Sequence, residues 1–119
     1  LITHDLGVVA DVADDVAGMY AGEVVEQASI HDAFKRPAHP YTKALLRAIP
    51  RVDTVGRELE VIPGLPPNPA ALPGGCPFHP RCWAADPEKC STEAPPDEEV
   101  AEDHRALCHF AKEVYRDER

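Results

Sequence analysis

Apolar and polar positions repeat with two different periods along the chain, and the changes of period mark its elements. Leu1-Ile2 reads as the end of a buried strand that Thr3, His4 and Asp5 break. From Leu6 to Asp14 the apolar residues Leu6, Val9, Ala10 and Ala13 share one helical face. Asp5 is placed to cap that helix, because its carboxylate can accept a first-turn N–H. Val16 to Tyr20 and Glu23 to Glu26 read as two strands joined at Ala21-Gly22 into a hairpin. Ser29 suits the cap of a short helix from Ile30 to Phe34, stopped by Pro37. A further helix is predicted from Tyr41 to Ala48, since Tyr41, Leu45 and Ile49 stand four residues apart. Pro40 suits its start, Lys43 and Arg47 its later turns, and Pro50 its end. Leu59 to Ile62 suggests a short strand. From Pro63 to Gly75 the prolines and Gly64 block any regular hydrogen-bond ladder. Asp97 to Cys108 reads as weakly helical, and Phe110 to Tyr115 as its continuation. No internal repeat is visible.

Proline placement divides the chain into zones. All 13 prolines lie between Pro37 and Pro96. The zone before them carries no Lys or Arg up to Phe34, and the zone after them is charged. With 119 residues and 44% hydrophobic content the chain is one domain at most, with a modest core. Its formal net charge of −9 argues against nucleic acid or an anionic lipid surface as a partner. No apolar run approaches the roughly 20 residues that cross a bilayer. Beginning at Leu1 inside an apolar run, with no basic leader ahead of it, the sequence reads as a piece of a larger chain.

Cys76, Cys82, Cys90 and Cys108 all fall in the last 44 residues, where regular structure is expected to be poorest. A segment that cannot build its own core often needs a staple. Four thiolates suit an iron–sulfur cluster. They also suit structural zinc, although no pair has the short spacing usual for zinc. Two disulfides are a third reading and four unlinked buried thiols a fourth. His79, His104 and His109 flank the cysteines and can each replace one as a ligand. At the other end, His4 follows a strand, where side chains project into the crevice that binds ligands in α/β folds. An imidazole there can hydrogen-bond a phosphate or a water.

Five segments occur in order: Leu-Ile-Thr-His-Asp-Leu-Gly-Val-Val-Ala, Met-Tyr-Ala-Gly-Glu-Val-Val-Glu, Arg-Pro-Ala-His-Pro-Tyr-Thr-Lys-Ala-Leu-Leu, Ile-Pro-Gly-Leu-Pro-Pro and Gly-Cys-Pro-Phe-His-Pro-Arg-Cys. Together they resemble the C-terminal part of the ATP-binding subunits of oligopeptide/dipeptide ABC transporters. The resemblance implies an α/β fold: the C-terminal remnant of a P-loop ABC ATPase domain over residues 1–30, then an irregular, proline- and cysteine-rich C-terminal extension over residues 31–119. It implies that His4 is the switch histidine that contacts the γ-phosphate of ATP and orients the attacking water. It also implies that Cys76, Cys82, Cys90 and Cys108 are candidate ligands of a [4Fe-4S] cluster, with Zn²⁺ the alternative.

The parent protein implied is an ATPase that uses ATP and Mg²⁺ to power peptide import. Its partners would be a homologous ATP-binding subunit and membrane-embedded permease subunits, and its place the cytoplasmic face of the cell membrane, with no span of its own. The phosphate loop, the signature loop and the catalytic carboxylates precede this region in the family, so the chain alone is expected to be inactive. Trp83 stands where the family often has proline, and Gly18 where a β-branched residue is usual. A competing expectation is a stand-alone iron–sulfur or zinc module with no nucleotide role.

Overall fold

The computed structural model describes residues 11–47, 68 and 70–117. His4, the helix expected over 6–14 except for its last residues, and the strand expected over 59–62 lie outside that range. In chain order the elements are β1 (Asp15–Tyr20), β2 (Glu23–Ser29), α1 (Ile30–Lys35) and α2 (Pro40–Arg47). A 3₁₀ turn (His79–Arg81), α3 (Lys89–Thr92), β3 (Asp97–Ala101), β4 (His104–Leu107) and α4 (Ala111–Tyr115) follow. Four strands form one antiparallel sheet in the order β1-β2-β4-β3. The fold therefore mixes helices with a small antiparallel sheet.

The hairpin expected at Ala21-Gly22 is present. Both residues have positive φ, +54° and +83°, which is the signature of the two-residue turn that matches strand twist. Along β2 the register slips: Gly18 faces Glu26, but Met19 faces Val24. Val25 is thus an extra residue, a bulge, and both Val25 and Glu26 end up buried. Ser29 Oγ accepts the Asp32 N–H at 3.1 Å and caps α1 as anticipated.

At α2 the cap is a histidine. His39 Nδ1 accepts the Tyr41 N–H at 3.0 Å, and the His39 carbonyl takes the first helical bond from Lys43. Pro40 opens the helix, where its missing N–H costs nothing. Lys43 then ties α2 to α4, its ammonium donating to the Val114 carbonyl at 3.2 Å and to Asp117 at 2.5 Å.

The helix expected over Asp97 to Cys108 is a β-hairpin, β3 and β4, turning at Glu102-Asp103. Tertiary pairing decides this. β4 docks on β2 with Glu26 opposite Ala106, and His104, Ala106 and Cys108 point inward at every second residue. The extension is accordingly more regular than expected. Its inward side chains are small, so Ala38, Ala106, Cys108 and Ala111 form one core cluster at close approach. A second cluster joins Tyr20, Val25 and Phe78. There Phe78 meets the Tyr20 and Tyr41 rings edge-on, with centroids 5.1 and 5.4 Å away.

Candidate sulfur site

Cys76 and Cys82 lie on either side of the 3₁₀ turn, Cys90 lies in α3, and Cys108 directly follows β4. Local bonds shape this segment. The His79 N–H donates to the Cys76 carbonyl at 3.0 Å, and the Cys90 N–H to the Asp86 carbonyl at 3.0 Å. The Asp86 carboxylate accepts the N–H groups of Glu88 and Lys89 ahead of α3. The Cys76 N–H crosses to the Cys90 carbonyl at 2.8 Å. Gly75 makes that crossing possible. Its φ is +66°, and a Cβ there would stand 2.4 Å from the Cys90 oxygen.

All four cysteines line one recess, walled by Phe78 and Phe110 and bordered by His39, His79 and His109. The cavity between them is about 10 Å³, room for roughly one water. All four are free thiols, so the disulfide reading is not met. Burial pushes the thiols of Cys82 and Cys108 up to about 11 and about 12, and Cys76 upward too. The neighbouring sulfurs add to this, because each thiolate repels the next. Backbone donors oppose it. Phe78 and His79 favour the Cys76 thiolate, Ala84 and Ala85 that of Cys82, and Phe110 that of Cys108, whose Sγ accepts the Phe110 N–H at 3.4 Å.

Among the described residues no group of three or more His, Cys, Asp or Glu is placed to hold a metal ion. The four sulfurs are brought to one recess without being gathered around one point. Of the three flanking histidines, His79 and His109 border the recess. His109 Nε2 donates to the Glu93 carbonyl at 2.9 Å. His104 is absent from the recess lining. It is buried instead against Glu26, with Nε2 at 2.5 Å from Oε2.

Glu26 and His39 were not singled out by sequence reasoning. Glu26 is 3% exposed. Besides His104 it accepts the Ala38 and His39 N–H groups, at 2.8 and 2.9 Å. It thereby pins the segment leading into α2. The His39 ring is held neutral by burial, which lowers its pKa to about 4 against a partial offset from the Glu26 charge. Its position before Pro40-Tyr41, the family motif, was the one available signal.

The model of the family region described as "oligopeptide/dipeptide transporter, C-terminal region" matches residues 25–90. That stretch holds Glu26, His39, Cys76, Cys82 and Cys90. Among curated relatives, the oligopeptide transport ATP-binding protein OppD of Salmonella typhimurium is 55% identical over 82 residues, 69% of this chain and 24% of that protein. OppD of Mycobacterium tuberculosis is 50% identical over 109 residues, 91% of this chain and 18% of that protein. OppD of Escherichia coli is 49% identical over 108 residues, 91% of this chain and 32% of that protein. The chain therefore spans a third or less of each of these relatives. The stand-alone metal module finds no support in these matches, nor in the described residues. With more than half of its residues inside the matched region, the chain belongs to the oligopeptide/dipeptide transporter family, in its C-terminal region.

Proposed function

We propose that the chain serves in the ATP-binding subunit of a peptide importer, and that Cys76, Cys82, Cys90 and Cys108 hold a [4Fe-4S] cluster there. One observation carries the second half of this reading: cysteines from separate parts of the chain line a single recess. The donor set fits the group, since four thiols are available and three have backbone N–H groups favouring the thiolate. Zinc is the alternative, since it takes the same four thiolates. Among the described residues no group is preformed for either centre, and the recess of about 10 Å³ has to open to admit a cluster. When bound, a cluster supplies a covalent tie between segments and a one-electron couple. The chain's own part is to hold the thiolates, through those N–H groups, and to keep water out with Phe78 and Phe110. The role is structural or regulatory.

The relatives are named as ATP-binding proteins of oligopeptide transport. On that basis residues 1–30 are the end of a nucleotide-binding domain, and residues 31–119 its C-terminal extension. His4 is the catalytic switch histidine. ATP and Mg²⁺ are gripped by parts of the subunit beyond this sequence. The subunit works with a homologous ATP-binding partner and permease subunits, peripherally at the cytoplasmic face of the membrane. In the described residues no helix is long and apolar enough to cross a membrane.

Anaerobic reconstitution with ferrous iron and sulfide tests the sulfur site. A brown protein with iron and sulfide in equal amounts and broad visible absorption is expected. A chain that stays colourless and binds no iron, yet takes up one zinc when zinc is offered to a parallel sample, overturns the cluster. For the ATPase role, His4→Ala in the complete subunit is expected to lower kcat by about 100-fold or more. Unchanged turnover removes His4 from the mechanism.

A further inference from the structure

His39 lines the sulfur recess and caps α2, and its ring is fixed from several sides. Glu26 holds the peptide N–H groups of Ala38 and His39, so the backbone carrying the ring is tied to β2. Phe78 packs on the ring with centroids 5.9 Å apart. The Tyr41 N–H donates to Nδ1. A nitrogen that accepts carries no proton, so in the neutral ring the proton sits on Nε2. That Nε2 is fully buried and has no hydrogen-bond partner among the described residues. The Leu107 carbonyl, one residue ahead of Cys108, faces that proton and raises the ring's pKa in part, against the larger effect of burial. A buried N–H left open in this way costs free energy and calls for an acceptor. The acceptors a loaded recess offers are sulfurs.

Resting on the reading of the recess given above, we propose that His39 is a positioning residue whose Nε2–H donates a hydrogen bond to a sulfur of the cluster held by the four cysteines. Such a bond draws negative charge off the sulfur and favours the reduced form, so it raises the reduction potential.

Two substitutions separate the ring nitrogens. In His39→Asn the amide oxygen stands near Nδ1 and keeps the Tyr41 cap, but the Nε2–H is gone. In His39→Gln an amide N–H reaches the place of Nε2. The full chain and both variants are loaded anaerobically with ferrous iron and sulfide, and iron content and reduction midpoint are read. The expected result is equal iron in all three, a midpoint shifted to more negative potential in His39→Asn, and a midpoint returned towards that of the unsubstituted chain in His39→Gln. Equal midpoints at equal iron overturn the inference alone. An unsubstituted chain that takes up no iron overturns the reading of the recess and the inference with it.

A second measurement needs no change at His39. In a ¹⁵N-histidine-labelled chain carrying His79→Ala and His109→Ala, pulsed electron paramagnetic resonance of the reduced cluster is expected to read one ¹⁵N coupling. Its absence overturns the inference even where the His39 variants fail to fold.

Discussion

A carboxylate with almost no access to water must find its hydrogen bonds inside the protein, and Glu26 finds three, from Ala38 N–H, His39 N–H and His104 Nε2. Glu26→Ala strands all three groups at once. The expected loss is about 3–5 kcal/mol, read from the urea midpoint. Glu26→Gln keeps one acceptor and is expected to lose less, about 1–3 kcal/mol. Equal losses would mean that the single acceptor kept by the amide contributes nothing and that the charge and second oxygen carry the whole effect. The sequence could not reveal this residue. In an unbroken strand Glu26 shares a face with the exposed Val24, and only the extra residue at Val25 turns it inward. Two glycines make a second residue-scale test, because both have positive φ but different surroundings. At Gly22 a Cβ meets nothing within 4 Å, so Gly22→Ala is expected to cost about 1 kcal/mol of backbone strain. At Gly75 the Cβ runs into the Cys90 carbonyl. Gly75→Ala is expected to cost about 2 kcal/mol or more, and to make Cys76 and Cys90 react faster with a thiol reagent under native conditions.

Elements meet at Phe78. It comes from the cysteine segment, yet its ring lies against Tyr20 of β1, Tyr41 of α2 and the His39 cap. It is 1% exposed. Phe78→Ala is expected to cost about 3–5 kcal/mol and to open one wall of the sulfur recess, measured as faster alkylation of Cys82. Leu72→Ala, at a side chain already 47% exposed, is the control and should change little. The short-range signals were legible: the Ala21-Gly22 turn, the Ser29 cap, Pro40 at a helix start and the α4 segment near Phe110 to Tyr115. Each is decided by residues within a few positions of one another. What the pattern missed depends on distant partners. Asp97 to Cys108 has no β-branched run beyond Val100, and it becomes β3 and β4 because β2 offers β4 an edge to pair with. The four cysteines were legible as residues, whereas their convergence follows from where α3 and β4 dock.

For the molecule as a whole, stability should form a dome in pH, with each limb set by a buried group around the recess. On the acid side the group is His39, whose pKa is about 4 folded against an ordinary 6.5. As pH falls below 6.5 the unfolded chain takes up a proton that the folded chain refuses until about 4. Stability contributed by the neutral ring is therefore complete above 6.5 and drains away towards 4, by on the order of 3 kcal/mol. On the alkaline side the groups are Cys82 and Cys108, raised to about 11 and about 12 from an ordinary 9.0. Their contribution is complete below 9 and is lost as pH climbs towards 12, because the unfolded thiols ionise first. Urea midpoints taken from pH 4 to pH 11 on metal-free protein check both limbs. His39→Asn should flatten the acid limb and leave the alkaline one, and Cys108→Ala the reverse. Loading the recess changes the balance in a definite direction. Thiolates already bonded to iron have no proton left to lose, so the alkaline limb should shrink in the loaded protein. The acid limb should steepen, since protons then compete with iron for the same sulfurs. An alkaline limb that is unmoved by loading would mean that Cys82 and Cys108 are not ligands.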